Sequence, residues 1–233
     1  MHSFTLGTTK SSTYGIRIAG PVPRPVATQR VEDIEVAGRA GTLTRFQGLG
    51  DVTLNIPMLF MGKDRLTNYR KFAAALTTAK TITLSHDGGR VRRIKHAQLS
   101  PLTAETSGWA AAELTVTCQP YAYFAAPHRQ TLNATGSTVV NNLGLAEAAP
   151  KLTLTGTGTL RFGLNGTYYV INSPANSITL DSELMTAYTG ASAQLNAISS
   201  DYPIMRPGNN TFTIPSTNSG ITAWSLEVTW RDP

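Results

Sequence analysis

Along most of this chain apolar and polar residues alternate in short runs, each stopped by Gly or Pro, and one stretch alone breaks the rule. Successive side chains of a strand point to opposite faces, so a period of two buries one side of a sheet and leaves the other polar. The run Glu113 to Cys118 shows it most clearly, with Leu114, Val116 and Cys118 on one face and Glu113, Thr115 and Thr117 on the other. A chain patterned this way folds as a mainly β protein.

In the first third, strands are expected at Ser3 to Leu6, Tyr14 to Ile18, Val31 to Val36, Leu43 to Phe46 and Val52 to Met58. Between them Pro21-Val22-Pro23-Arg24-Pro25 removes ladder donors at three alternate positions, which makes this piece a loop or arm. Gly38-Arg39-Ala40-Gly41 reads as a turn. The exception to the alternation lies between Lys63 and Lys80, where Leu66, Tyr69, Phe72, Ala73 and Leu76 recur three or four apart and Asp64 stands ready as a cap. This is the one helix expected, apolar toward a sheet, with Arg65, Asn68, Arg70, Lys71 and Thr78 on its other side. Thr81 to Ser85 returns to period two, and His86-Asp87-Gly88-Gly89 forms a hairpin turn into Arg90 to Leu99.

From Thr131 the texture changes: Lys151, Arg161, Arg206 and Arg231 are the cations, among abundant Thr, Asn and Gly. Short strands are expected at Ser137 to Asn141, Lys151 to Thr155, Thr159 to Leu164, Thr167 to Ile171, Ser177 to Asp181, Thr211 to Ile214 and Ala223 to Trp230, with Asn165-Gly166 as a two-residue hairpin. Such spacing argues for a β-sandwich. Two domains follow, 1–130 as a small barrel or curled sheet with one helix, and 131–233 as the sandwich.

The charged fraction, 15%, lies well under the roughly 25% usual for soluble domains. With alternating apolar positions, this indicates uncharged polar surfaces, some of them covered by neighbours. A formal charge of +6 attracts polyanions only weakly. The single cysteine, Cys118, excludes an internal disulfide and a cysteine-rich zinc site, and it ends an alternating run as a small core residue. No apolar run reaches the roughly 18 residues of a membrane span, and Met1-His2-Ser3-Phe4 does not resemble a signal peptide, so folding in a cytoplasm is expected.

Chemistry is hard to place. His2, His86, His96 and His128 are scattered singly, so no metal site is expected. Gly156-Thr157-Gly158 and Gly48-Leu49-Gly50 lack the strand-to-helix setting of a phosphate loop and read as turns. Gly190-Ala191-Ser192-Ala193-Gln194 lacks the second glycine of a nucleophile elbow. Asp181, Glu183 and Asp201 read as solvated turn residues. Neither a catalytic residue nor a cofactor is expected. In Arg90-Val91-Arg92-Arg93-Ile94-Lys95 the strand divides the charges between two faces, leaving a solvated hairpin or subunit contact, or a face toward passing DNA, as readings. Tyr121, Tyr123 and Phe124 read as a plug between domains.

Several strings, taken in order, resemble the distal tail proteins of long-tailed, non-contractile phages. They are Phe4-Thr5-Leu6-Gly7 with Ser11 to Ile16; Val36 to Leu43, similar to that family's Gly-Arg-Asp-Gly turn with Ala40 where Asp is frequent; Thr117 to Tyr123; Asn141 to Gly144 with Ala149-Pro150; Ile178 to Glu183; and Arg206 to Thr211. The resemblance implies an N-terminal split β-barrel with a helix, a C-terminal galectin-like sandwich, and a hexameric ring of copies between the last tail-tube ring and the tip or baseplate proteins, in the virion. It implies contacts to the tube protein, to a tip hub protein and to receptor-binding proteins, DNA only in transit, and no membrane insertion. The interface expected comprises Val36, Gly38, Arg39, Gly41, Leu43 and Phe46, with Arg90, Arg92, Arg93 and Lys95 of the second hairpin. A tail-tube subunit, or a module gripping host glycans, stands as an alternative; the latter wants an exposed Trp or Tyr, whereas Trp224 and Trp230 read as core.

Overall fold

The computed structural model describes residues 3–173, 175–194, 196–198, 201–215 and 220–233. Of the positions discussed above, Met1 and His2 lie outside them. The chain divides into two compact units between Ala125 and Ala126. The boundary expected at 130/131 falls instead within a strand of the second unit, His128–Leu132.

In the first unit the elements run β1 (Phe4–Leu6), β2 (Thr9–Lys10), a single 3-10 turn (Ser11–Tyr14), β3 (Ile16–Ile18), β4 (Gln29–Glu35), β5 (Thr42–Leu49), β6 (Val52–Met61), α1 (Arg65–Leu76), β7 (Thr81–Leu84), β8 (Val91–Leu99), β9 (Ala104–Glu105) and β10 (Trp109–Tyr123). An antiparallel sheet follows the order β2-β1-β7-β8-β10-β6-β3, with β9 on β10. The sheet curls, because Phe72 of α1 meets Phe4 of β1 at 6.0 Å and Phe60 of β6 at 5.9 Å although four strand steps separate these two strands. Tyr14 closes the aromatic group at 5.3 Å from Phe72. Around it Leu54, Ile56, Met58, Leu114, Val116 and Cys118 are buried, as the alternation requires. Between Cys118 and Ala122 four steps of β10 face two of β8, Ile94 to Arg92, a bulge that adds to the bend.

β6 and β10 are longer than their sequence patterns indicate. The run Ala110-Ala111-Ala112 hides the alternation at the start of β10, since small residues suit either face; pairing with all ten residues of β6 settles it. The helix takes in the whole periodic run from Leu66 to Leu76 and stops short of the outer limits Lys63 and Lys80. Asp64 occupies the N-cap, yet its side chain makes no capping hydrogen bond. At the other end the hydroxyls of Thr77 and Thr78 donate to the carbonyls of Ala74 and Ala75, competing with further helical turns. Leu66, expected inward, is 39% exposed.

The second unit is a two-sheet sandwich. Its strands are β11 (His128–Leu132), β12 (Gly136–Asn142), β13 (Lys151–Thr155), β14 (Gly158–Leu164), β15 (Thr167–Ser173), β16 (Ser177–Asp181), β17 (Thr186–Thr189), β18 (Ser192–Ala193), β19 (Gly208–Ile214) and β20 (Ala223–Val228). One sheet has the order β11-β20-β13-β16-β17-β18, the other β12-β19-β14-β15. Trp224 of the first sheet packs on Phe162 at 5.5 Å and on Phe212 at 5.6 Å of the second, and its indole Nε1 donates to the Asn133 carbonyl at 2.8 Å. Trp230 lies beyond the end of β20 and is buried as well. Asn165-Gly166 is the expected hairpin turn, at φ values of 51° and 87°, and Asn165 ties β14 to β19 by donating to Asn210 Oδ1 and accepting from the Thr211 amide. At Gly156 the carbonyl of Gly220 comes so close that no Cβ would fit.

Candidate assembly surface

Among the described residues β4 and β5 pair only with each other, as a sheet of two strands. Every residue from 28 to 47 is exposed, so this hairpin is an arm that no described residue of its own unit covers. The register Val31 to Phe46, Asp33 to Thr44 and Glu35 to Thr42 sets those six side chains on one face, while Glu32 with Arg45 and Ile34 with Leu43 occupy the other. Asp33 accepts from Thr44 Oγ1 at 2.9 Å and Glu32 from Gln47 Nε2 at 2.9 Å, so the polar cross-strand pairs hold the arm's shape. Gly38 and Gly41 turn the chain at φ values of 80° and 78°, which Ala40 between them does not have to adopt. The string Gly48-Leu49-Gly50, read as a turn, instead ends β5 through Leu49, and the Gly50 amide closes the arm's root on the Thr28 carbonyl at 2.8 Å.

The arm is unusual in what it exposes. Val31, Ile34, Val36, Leu43 and Phe46 are 50, 39, 42, 42 and 59% exposed, apolar on both faces. A two-stranded hairpin alone in water is marginally stable, and its outer edges are unpaired. The expected residues Val36, Gly38, Arg39, Gly41, Leu43 and Phe46 are thus gathered on one projecting element.

The basic stretch of β8 is used differently. Arg90 lies with its guanidinium carbon 3.5 Å from the Phe124 ring centre, and Arg93 lies 3.9 Å from that of Tyr123. Lys95 Nζ pairs with Asp51 Oδ2 at 2.6 Å. Arg92 departs from the expectation, because the pleat turns it inward: its side chain is 6% exposed, with Nε 3.4 Å from Asp87 Oδ2. It therefore presents no surface to a partner or to DNA. Sequence reasoning assigned the four cations to two faces; it could not see that Tyr123, at the end of β10, and Phe124 beyond it take up Arg93 and Arg90.

Sequence reasoning also missed an apolar strip on the outer face of β6 and β10. Met61 stands opposite Trp109, Leu59 opposite Ala111, and Pro57 opposite Glu113, while Arg17 of β3 flanks Leu59. Their neighbours Met58, Phe60, Ala110 and Ala112 fill the core, so these residues point outward, and each of the apolar ones is partly exposed. The signal was the break in alternation at Pro57-Met58-Leu59-Phe60-Met61, where apolar residues occupy both faces.

In the second unit a groove of about 240 Å³ lies over the outer face of β11, β20 and β13, lined by Arg129, Lys151, Thr153, Ser225 and Glu227 among others. Its charges meet in pairs: Arg129 holds Glu227 with two hydrogen bonds of 3.0 and 3.1 Å, and Lys151 Nζ lies 3.0 Å from Asp181 Oδ2. Hydrogen bonding from Arg129 holds the Glu227 carboxyl below its ordinary range, and hydrogen bonding to Asp181 raises Lys151. Asp181 Oδ1 also accepts the amides of Glu183 and Leu184, which fixes the turn after β16. With Trp224 and Trp230 buried, no indole faces this groove. Among the described residues no group of three or more His, Cys, Asp or Glu side chains converges on a possible metal position.

No family model matches the chain, and no curated protein does. Among solved structures, the crystal structure of the SPP1 Dit protein, described as a paradigm of the hub adsorption apparatus in phages infecting Gram-positive bacteria, matches with a TM-score of 0.70, over 99% of this chain and 99% of that one, at 17% identity. The chain has the fold of SPP1 Dit. Two structures of the phage P2 baseplate in its activated conformation, with Ca and with Sr, match more loosely at TM-scores of 0.45 and 0.44 and 8% identity, over 99 and 98% of this chain and 98% of each of those chains. The curled sheet with one helix, followed by a sandwich, is therefore a known combination, and it is the one expected from the resemblance.

Proposed function

We propose that this chain is a structural hub protein of a phage tail tip: six copies form a ring that joins the end of the tail tube to the tip or baseplate, leaving a channel for DNA. The observation that carries this reading is the end-to-end match to the SPP1 Dit fold, covering both units in one order. Fold alone does not confer function, so local features must agree with it. They do so at the arm, an exposed apolar hairpin suited to contact with another subunit. Partners under this reading are further copies, the tail-tube protein, a tip hub protein and receptor-binding proteins, in a virion assembled in the host cytoplasm. The role is mechanical and not enzymatic.

The division of labour follows the two units. The first, with its projecting arm, makes the ring and the tube contact; the sandwich holds peripheral tip proteins. Antibody labelling of virions from the producing phage, viewed by electron microscopy, tests the reading. Label in a collar just below the tube is the expected result, and label along the tube or its absence from the tail rejects it.

A further inference from the structure

We infer that the outer face of strands β11, β20, β13, β16 and β17 in the second unit is a saccharide site, which takes one neutral sugar residue of a glycan chain through its hydroxyl groups. The inference goes beyond the hub reading and does not depend on it.

Two cross-strand rows build the face. The register places Arg129, Glu227, Lys151 and Asp181 side by side on four neighbouring strands, so that positive and negative charges alternate. Two residues along each strand, the next outward row is Thr131, Ser225, Thr153, Thr179 and Tyr188, all of them hydroxyl side chains. Their strand neighbours Leu152, Leu154, Ile178, Leu180, Trp224 and Leu226 fill the core, so both rows point outward. The groove of about 240 Å³ lies over the β11, β20 and β13 part of these rows. Pockets that enclose a drug-sized ligand run to roughly 300–1,000 Å³, so this one suits a single unit of a chain that continues outside it.

The rows are fixed before anything binds. Arg129 is held by two hydrogen bonds although its side chain is 69% exposed, and Asp181, at 7%, is locked between Lys151 and the amides of Glu183 and Leu184. The Thr153 and Thr179 hydroxyls lie 3.3 Å apart. Asp181 chiefly, and Tyr188 after it, keep Lys151 charged. Groups ordered in advance spare a ligand part of the cost of binding. Exposed ion pairs of this kind add little to folding.

The arrangement selects among ligands. Glu227 takes two of the guanidinium N–H groups and Asp181 one of the ammonium's, which leaves donors at both cations, while the carboxylates keep free lone pairs. Donors and acceptors therefore alternate at one strand spacing, about 4.8 Å. A sugar hydroxyl both donates and accepts, so it bridges a cation and the carboxylate beside it, and a ring with several hydroxyls engages both rows. Tyr188, half-buried, adds an aromatic surface for the C–H side of such a ring. An anion meets a carboxylate next to each cation, and the row sums to zero charge, so a phosphate polymer or nucleic acid gains no net attraction. A protein partner is disfavoured as well, because interface cores are depleted of charged residues and the two rows carry no aliphatic side chain larger than threonine.

The test uses the full chain, labelled with ¹⁵N, and methyl glucoside, methyl galactoside and N-acetylglucosamine as probes. Each is raised to concentrations on the order of 100 mM, since a few hydrogen bonds exchanged against water give weak affinity. Amide shifts are expected to saturate for at least one sugar and to cluster at Thr131, Thr153, Thr179 and Ser225. Removing one ion pair whole, Arg129→Ala with Glu227→Ala, should weaken that binding at least tenfold without unfolding the second unit. Thr153→Val, which leaves every charge in place, should weaken it too, whereas Arg161→Ala on the other sheet should leave it as in the wild type. Inorganic phosphate, the charged probe, should leave the same amides unmoved. No saturable shift with any of the three sugars, shifts clustered elsewhere, undiminished binding by the double variant, or phosphate binding as tight as that of the sugars would each overturn the saccharide site. The hub reading is judged separately, by the position of label on the virion, and survives any of these results.

Discussion

Truncating Phe72 isolates the contact that fastens the helix to the curled sheet. Its ring is fully buried and meets Phe4, Phe60 and Tyr14 edge to face at 6.0, 5.9 and 5.3 Å. Phe72→Ala removes the buried ring and leaves a cavity bounded by two β-strands and the 3-10 turn, which cannot all collapse into it; such changes cost about 3–5 kcal/mol. For a unit of about 120 residues the entropy of unfolding is roughly 0.25 kcal/mol per kelvin, so the midpoint should fall by about 12–20 °C. The two units are not bound to unfold together, so the measurement must resolve them. Trp109 reports on the first unit and Trp224 with Trp230 on the second. Scanning calorimetry, with hydrogen exchange assigning each transition, should show the first unit's transition shifted and the second unit's unmoved. Leu66→Ala on the same helix, at 39% exposure, is the control and should stay within about 0.5 kcal/mol. A loss below about 1 kcal/mol for Phe72→Ala, or equal losses at both positions, would refute the view that the sheet curls around this ring.

Three further outcomes are expected. Asp87→Ala leaves the buried Arg92 guanidinium without its carboxylate and should cost the first unit about 3–5 kcal/mol, read as a lower urea midpoint, whereas pairing it with Arg92→Met should recover most of the loss. Trp224→Phe keeps much of the packing but removes the hydrogen bond to the carbonyl of the exposed Asn133, so the second unit should lose about 0.5–1.5 kcal/mol of stability in the same titration. Burial pushes the Cys118 thiol from 9.0 up to about 11, so the folded state keeps a proton that the unfolded state has released; stability is complete below about pH 9 and falls as pH rises toward about 11, while Cys118→Ala flattens that slope.

The sequence by itself determined the β character of the chain, the position of the helix and, along an alternating run such as Leu114, Val116 and Cys118, which residues share a face. These are local properties: a period of two or 3.6 leaves its mark within a few residues, as do Asn165-Gly166 and the Pro-rich run before the arm. The Gly38 to Gly41 turn between two strands was legible too, whereas naming Val36 to Phe46 as a contact came from the family resemblance.

Tertiary structure alone decided the rest. A period of two states that Arg92 and Arg93 point opposite ways, but not which of them is inside; the pairing of β8 with β7 and β10 made that choice and buried Arg92. The strip of Leu59, Met61, Trp109 and Ala111 arises only when β6 and β10, some fifty residues apart, lie side by side, since neither contributes enough apolar surface alone. Exposure of both arm faces likewise depends on what the remainder of the fold leaves uncovered. Alternation fixes relative facing along one strand, whereas burial is a property of all the neighbours at once, so the exposure of the arm and of the strip was legible only in the fold.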